Sequence, residues 1–130
     1  MTVDASAVLA ILLREPEGHA ISEALLTSQE SHAISPINYL EAAVRLDNHK
    51  DRERLQDLDA LLKEHRVTIG FVTPEQATFA REAYRRFGKG NHDAKLNLGD
   101  CFAYALAKAR SEPVLFKGSD FRLTDIEAAL

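Results

Sequence analysis

The chain has 130 residues, a formal net charge of −4 and 45% hydrophobic residues. This length is sufficient for one domain with its own core, and we expect a single domain over residues 1–130. The acidic balance excludes nucleic-acid binding by the charge of the whole surface, but it permits a local basic patch. We find no apolar run long enough to span a membrane and no secretory signal pattern, so we expect a cytoplasmic protein without membrane association.

Short β-rich runs alternate with longer helical patterns along the chain. Strands are predicted at residues 1–5, 32–35, 67–72 and 113–116. Helices are predicted at residues 6–15, 19–29, 36–46, 52–65, 74–87 and 98–110. Pro16 and Gly18 end the first helix, while Ser35 as N-cap and Pro36 at the first helical position begin the third. Strands separated by helices indicate right-handed crossovers and a parallel sheet covered on both faces.

Four acidic residues lie within or beside apolar runs of this pattern. In parallel α/β sheets, ligands bind beyond the carboxyl ends of the strands at a topological switch point. Asp4 ends the first strand, Glu41 lies in the early turns of the helix after the second, and Asp120 follows the fourth. These three can converge at that edge. Asp100 joins them if its helix begins there, which the order of elements does not determine.

The chemistry of these acids favours a metal site. A carboxylate removed from water is costly unless it is paired or binds a metal, and a hard cation such as Mg²⁺ prefers oxygen ligands. The pattern therefore indicates a metal-dependent phosphodiesterase. Structural roles compete with this interpretation: Asp100 as an acid favoured at a helix N-terminus, Asp120 as a turn residue, and Glu41 on the exposed side of a helix.

Cysteine and histidine offer no alternative chemistry. Cys101 is the only cysteine and lies beside Asp100 in an apolar segment. A neighbouring anion disfavours the thiolate, so we expect a buried structural residue. The five histidines show no metal-ligand spacing, and zinc binding by them is not expected.

The whole chain resembles PIN-domain ribonucleases, specifically the VapC-type toxins of bacterial toxin–antitoxin pairs. The resemblance is carried by the segments VDASAVLAILLREPE, SPINYLEAAV, AREAYRRFGKG and NLGDCFAYALAKARSEPVLFKGSDFRLTDI. The last segment is the most specific, since an acid and an aromatic residue open a helix of small residues, and a short strand and G-x-D-F follow.

The resemblance implies an α/β fold, a PIN-like three-layer sandwich with a short parallel sheet of four or five strands and helices on both faces. Any fifth strand must be very short here. The resemblance implies endoribonuclease cleavage of RNA by metal-activated water, homodimerisation, and inhibition by a cognate antitoxin protein that enters the active-site groove. It implies one site for Mg²⁺ or Mn²⁺, formed by Asp4, Glu41, Asp100 and Asp120. It implies no organic cofactor. We expect Asp4 and Asp100 to ligate the metal directly, and the other two partly through water.

Contacts to RNA require cations, because a pocket of acids repels a polyanion. Arg86 and Lys89 are the strongest candidates, since they lead into a glycine-flanked loop. Ser6 and Ser119 match the hydroxyl positions of the family beside the first and last acids. Asp125 is interpreted as a cap of the terminal turn, with a peripheral place in the pocket as the alternative. Further candidate cations, each with a solvated helix face as the simpler interpretation, are Arg81, Arg85, Lys95 and Lys117.

Other functions need residues that this chain lacks. A phosphatase of the haloacid dehalogenase type needs a D-x-D pair, but Asp4 is followed by Ala5 and Ser6. A receiver domain needs an acid ending the third strand, and VTIGFVT offers none. A nucleotide-binding P-loop motif is absent from the chain. A catalytically weak PIN scaffold that only binds a partner and a DNA-directed nuclease remain as alternatives.

A stripe of leucines predicts core packing, with a dimer or antitoxin groove as the alternative: Leu55, Leu58, Leu61 and Leu62.

Overall fold

The computed structural model describes residues 1–48 and 53–130, and for residues 53–55 only the backbone. Every predicted strand and helix is present, and the strands are shorter than predicted. The strands are Thr2–Val3 (β1), His32–Ile34 (β2), Val67–Ile69 (β3) and Val114–Leu115 (β4). The helices are Ala5–Leu12 (α1), Gly18–Thr27 (α2), Pro36–Asn48 (α3), Glu53–Glu64 (α4), Pro74–Phe87 (α5) and Leu98–Arg110 (α6), followed by a 3₁₀ turn at Asp120–Leu123.

Side-chain oxygens cap the N-termini of two of these helices, α3 and α5. Ser35 Oγ accepts from the backbone N–H of Ile37 at 3.3 Å, just before Pro36 opens α3. Thr73 caps α5 by accepting from the backbone N–H of Gln76 at 3.1 Å. Each contact satisfies one of the donors that a helix N-terminus leaves without an intrahelical partner.

The four strands form one parallel sheet in the order β3-β2-β1-β4. The predicted very short fifth strand is reduced to an isolated parallel bridge between Val114 and Ala128. Because β1 pairs with β2 on one side and β4 on the other, the chain changes direction across the sheet at β1. The carboxyl end of β1 is therefore the switch point at which a ligand site is expected.

Alternating side chains of the sheet divide the core into two layers. Leu115 packs with residues of α1 to α4 on one face, whereas Val114 and Phe116 pack with α5 and α6 on the other. This alternation has the period of two that a β-strand imposes. The helices thus cover both faces and give the expected three-layer sandwich.

The leucine stripe of α4 belongs to the first of these layers. Leu58, Leu61 and Leu62 are buried in its core, which confirms the predicted packing. The side chain of Leu55 and residues 49–52 lie outside the described residues. Within the described ranges, no helix is long and apolar enough to cross a membrane.

Candidate metal centre

Asp4 is a buried carboxylate at the end of β1, with 4% of its surface exposed. Its Oδ2 accepts from the backbone N–H of Ser6 at 2.9 Å and from Ser6 Oγ at 2.6 Å. Its Oδ1 is buried and has no hydrogen-bond partner among the described residues. Burial raises the pKa of Asp4, and the hydrogen bonds from Ser6 oppose that shift. A buried carboxylate oxygen without a donor is costly to fold, and a bound cation would remove that cost.

Ser6 connects three elements around this carboxylate. While its hydroxyl donates to Asp4, its oxygen accepts from the backbone N–H of Lys117 at 2.9 Å. The end of β1, the first turn of α1 and the segment after β4 therefore meet at one side chain. This geometry gives Ser6 a role in holding Asp4. The predicted contact of Ser6 with substrate stays a prediction.

Glu41 reaches the same edge from the second turn of α3, and its side chain is half-buried. Its Oε2 accepts from Asn38 Nδ2 at 3.2 Å. Its carboxylate lies directly against Gly99 of α6, where a Cβ would stand 2.6 Å and 2.7 Å from the two oxygens. Burial raises the pKa of Glu41, and the nearby charge of Asp4 raises it further.

Asp100 lies in the first turn of α6 as part of a capping box. Its Oδ2 accepts from the backbone N–H of Asn97 at 3.0 Å, and Asn97 Oδ1 accepts from the backbone N–H of Asp100 at 2.9 Å. Burial raises the pKa of Asp100 to about 7, and the charges of Asp4, Glu41 and Asp120 add to the shift. The helix therefore begins at the edge where the other acids lie, which the order of elements had left open.

Asp120 is exposed and begins the 3₁₀ turn after β4. Its charge contributes to the raised pKa of both Asp4 and Asp100. Ser119, just before it, is also exposed, and its side chain makes no capping hydrogen bond. The structure thus places both residues on the solvent side of the acidic group.

The four acids share one electrostatic neighbourhood but do not form a closed coordination shell. No three acidic, histidine or cysteine side chains of the described residues stand close enough together to hold a metal ion as placed. Charge repulsion acts over longer distances than ligand bonds do, so the raised pKa values and the absence of a preformed cluster are compatible. Hard oxygen donors and the unpartnered Asp4 Oδ1 fit a divalent cation such as Mg²⁺.

Arg86 is the candidate cation whose surroundings differ most from expectation. Its guanidinium pairs with Asp125 at 3.4 Å and lies over the ring of Phe87, 4.7 Å from the centroid. Asp125 also accepts from the buried hydroxyl of Tyr104 at 2.7 Å. Asp125 therefore ties the C-terminal segment to α5 and α6.

Lys89 lies in the loop at residues 88–97, which joins α5 to the helix that carries Asp100. A cavity of about 540 Å³ opens in this loop, with Lys89, His92 and Lys95 among its lining residues. Lys89 and Lys95 are exposed and form no ion pair with a described residue. By contrast, Lys117 pairs with Glu15, and Glu17 lies 3.8 Å from its ammonium group.

Cys101 fits its predicted structural role. Its side chain is buried with 2% exposed, and burial raises the pKa of its thiol to about 11, with the charge of Asp100 adding to the shift. Such a thiol carries little thiolate at neutral pH.

Two amides and a glycine of the site were missed in the sequence. Asn97 carries a usable signal, because an asparagine three residues before an acid at a helix start is a capping-box pattern. Gly99 carries a weaker one, since glycine is unfavourable inside a helix unless something approaches its backbone closely. Asn38 carries none, because an asparagine in the first turns of a helix is unremarkable.

Comparison with known proteins identifies the family. The PIN domain matches residues 1–127. A protein of Mycolicibacterium smegmatis named Ribonuclease VapC is 43% identical over 128 residues, which are 98% of this chain and 98% of that protein. This chain belongs to the VapC ribonuclease family. Ribonuclease VapC28 of Mycobacterium tuberculosis is also 43% identical, over 131 residues that cover 100% of this chain and 98% of its own.

Solved VapC structures share the fold at lower identity. Mycobacterium tuberculosis VapC20, described as a toxin that cleaves the sarcin–ricin loop, has a TM-score of 0.78 at 15% identity, covering 96% of this chain and 95% of that one. A chain of the Rickettsia felis VapBC2 complex, crystallised with promoter DNA, has a TM-score of 0.76 at 16% identity, covering 98% and 95%. These matches confirm the predicted PIN fold.

We expect Asp100→Asn to stabilise the metal-free protein increasingly as the pH rises. The pKa of Asp100 in the folded state, about 7, exceeds its ordinary value of 3.8. Folding therefore takes up a proton between these values, and the stability contributed by this group falls as the pH rises through them. After allowance for partial exposure, the gain from Asp100→Asn is about 2 kcal/mol larger at pH 8 than at pH 4.5. Urea denaturation in EDTA measures it.

The exposed carboxylate of Asp57 on α4 provides the control for this measurement. Asp57→Asn should change stability by a similar, small amount at both pH values. A gain from Asp100→Asn that is independent of pH would contradict the shifted pKa.

Proposed function

We propose that this protein is a Mg²⁺- or Mn²⁺-dependent endoribonuclease that acts as the toxin of a type II toxin–antitoxin system. Residues 1–130 serve as one PIN-like domain, and the protein acts in the cytoplasm, where its RNA substrate is found. The observation that carries the proposal is the convergence of Asp4, Glu41, Asp100 and Asp120 at the switch point of the sheet. Three of them have a raised pKa, and one has a buried oxygen without a donor.

The residues of the site have distinct parts in this reaction. Asp4 and Asp100 would hold the metal directly, while Glu41 and Asp120 would act partly through water. When bound, the ion supplies an activated water molecule and neutralises charge on the phosphate. Ser6 holds one oxygen of Asp4 and leaves the other free to bind the ion.

The names of the relatives favour RNA as the substrate of this protein. Both relatives named above are called ribonucleases, and VapC20 is described as cleaving the sarcin–ricin loop. The alternatives are a DNA-directed nuclease and a catalytically weak scaffold that binds only a partner. The scaffold has no use for acids held together against their repulsion, so the geometry favours catalysis.

The backbone of the RNA is bound by cations beside the acids. We assign this role first to Lys89, which is exposed and free of described ion pairs, with Lys95 in the same loop. Arg86 contributes less, because its guanidinium is engaged by Asp125. Ser6 and Ser119 contact substrate from positions next to the first and last acids.

The proposed protein partners are a cognate antitoxin and a second copy of the chain. The Rickettsia felis neighbour comes from a VapBC complex. Beside Glu41, a groove of about 410 Å³ is lined by four apolar side chains of α3 and α6. Two of them are strongly exposed, Leu40 at 61% and Leu98 at 72%. An antitoxin segment that fills this groove would cover the entrance to the acids. The four side chains are Ile37, Leu40, Val44 and Leu98.

Asp4→Asn and Asp100→Asn should each lower the rate of RNA cleavage at least about 100-fold, because each removes a charged metal ligand. Circular dichroism should be unchanged. Cleavage by the wild type should require Mg²⁺ or Mn²⁺ and stop with EDTA. The assay compares single-stranded RNA with DNA of the same sequence, and Asp47→Asn, at an exposed position of the helix that carries Glu41, is the matched control.

Three results of this assay decide between the alternatives. Cleavage by both acid variants at the wild-type rate, in a preparation free of other nucleases, would exclude the mechanism. Preferential cleavage of DNA would establish the DNA-directed nuclease. Wild-type protein that neither cleaves RNA nor binds Mn²⁺ in titration calorimetry would be the scaffold.

Lys89→Ala should weaken RNA binding equally across sequences and reduce the slope of log affinity against log salt by about one. Lys89 is proposed to neutralise one phosphate, so its loss releases one counterion fewer. Arg86→Ala should change the slope less, because its charge is already shared with Asp125. Fluorescence anisotropy with the inactive Asp100→Asn protein as the common background measures both. If Lys89→Ala and the Asp100→Asn background protein showed the same slope of log affinity against log salt, Lys89 would not contact the RNA backbone.

Leu40→Glu should weaken binding of the antitoxin at least about tenfold, because it places a charge in an apolar contact. The antitoxin to be tested is a small DNA-binding protein encoded immediately upstream, where such a gene exists. Pull-down and calorimetry measure its binding, and light scattering measures the dimer. Leu26→Glu, at a leucine 46% exposed outside the groove, is the control. If Leu40→Glu binds the antitoxin like the wild type, the groove is not its site.

A further inference from the structure

We propose that Asn38 is a positioning residue whose amide, together with the bare Cα of Gly99, fixes the carboxylate of Glu41 for metal binding. The inference rests on the proposed function, because it assigns a purpose to Glu41 that only a metal site supplies. Neither Asn38 nor Gly99 is charged, and neither was a candidate from the sequence.

Asn38 is fully buried, with none of its surface exposed. Its Nδ2 donates to two acceptors, the backbone carbonyl of Gly99 at 2.9 Å and Glu41 Oε2 at 3.2 Å. The first bond joins α3 to the first turn of α6, 61 residues further along the chain. One amide group thus bridges the helix that carries Glu41 and the helix that carries Asp100.

Gly99 forms the other side of this clamp. A Cβ at this position would lie 2.6 Å and 2.7 Å from the two oxygens of Glu41 and 2.8 Å from its carboxyl carbon. Real Cβ atoms essentially never approach other atoms this closely. The carboxylate therefore occupies the space that any other residue at position 99 would fill, while Asn38 holds it by one oxygen.

Such a clamp is needed because the placement of Glu41 is unfavourable by itself. The charge of Asp4 repels the carboxylate, and a half-buried glutamate has several rotamers in which its head would turn away towards water. A donor N–H that bonds the charged form opposes both tendencies. Hydrogen-bonding partners of this kind commonly orient the carboxylates that bind metals.

Asn38→Leu tests the hydrogen bond with a side chain of the same branched shape that carries no donor. Mn²⁺ binding to the whole protein, measured by titration calorimetry without RNA, should weaken about tenfold relative to the wild type. Gln76→Met is the matched control. Gln76 is also a buried amide, with 5% exposed, whose Nε2 donates to the backbone carbonyl of Phe71 at 3.0 Å and whose Oε1 has no described partner. Both variants lose a buried amide, but only Asn38→Leu should weaken Mn²⁺ binding.

Gly99→Ala tests the other side of the clamp without touching the hydrogen-bonding group of Asn38. The atoms that the new methyl group meets belong to the far end of a flexible side chain, so Glu41 can move while the backbone stays in place. We expect a folded protein with a similar loss of Mn²⁺ affinity. This variant decides the question if Asn38→Leu fails to fold.

A double-mutant cycle separates positioning from a general structural effect. If Asn38 acts through Glu41, then Asn38→Leu should add no further loss of Mn²⁺ affinity to a Glu41→Gln protein. Wild-type affinity in the folded Asn38→Leu or Gly99→Ala protein, or fully additive losses in the cycle, would overturn the inference while leaving the metal site intact. A wild-type protein that binds no Mn²⁺ would instead overturn the proposed function itself.

Discussion

The repulsion among carboxylates at one edge of the sheet is the constraint on which this structure depends. Asp4 is placed there by β1 and Asp100 by the first turn of α6, and burial raises the pKa of both. The fold opposes this cost locally, with donors from Ser6 to Asp4, from Asn38 to Glu41 and from the backbone of Asn97 to Asp100. None of these donors carries a positive charge. The protein therefore holds the acids in place while leaving their negative charge for a cation to neutralise.

The same constraint bears on the cations, because two of the candidate cations are engaged by carboxylates outside the four acids. Lys117 follows the end of β4, but its side chain pairs with Glu15, and Arg86 pairs with Asp125. An ammonium or guanidinium group among the four acids would compete with a metal ion for their oxygens. The exposed lysines of the loop at residues 88–97 have no such partners among the described residues, which leaves them available to a polyanion approaching the site.

The sequence predicted the elements well because their signals are local. Ser35-Pro36 indicated the start of α3, and alternating strands and helices predicted the parallel sheet. Asp4 ends the first strand and Glu41 lies in the early turns of the helix after the second, so the rule for carboxyl ends brought them together. The position of Asp100 was not predictable in this way, because it depends on the direction in which α6 runs. The partner of Arg86 was equally hidden, since the pair joins residues 39 positions apart through packing.

The missed residues show a second limit of such reasoning. Searching for metal ligands selects charged side chains, whereas the placement of Glu41 depends on a neutral amide and on the absence of a side chain at Gly99. A proton and a metal ion compete for the same oxygens, so a carboxylate with a raised pKa binds metal less readily near neutral pH. Neutral donors oppose that shift without occupying the site. A fold that gathers acids for a metal must therefore use uncharged groups around them, and these groups have the weakest signature in a sequence.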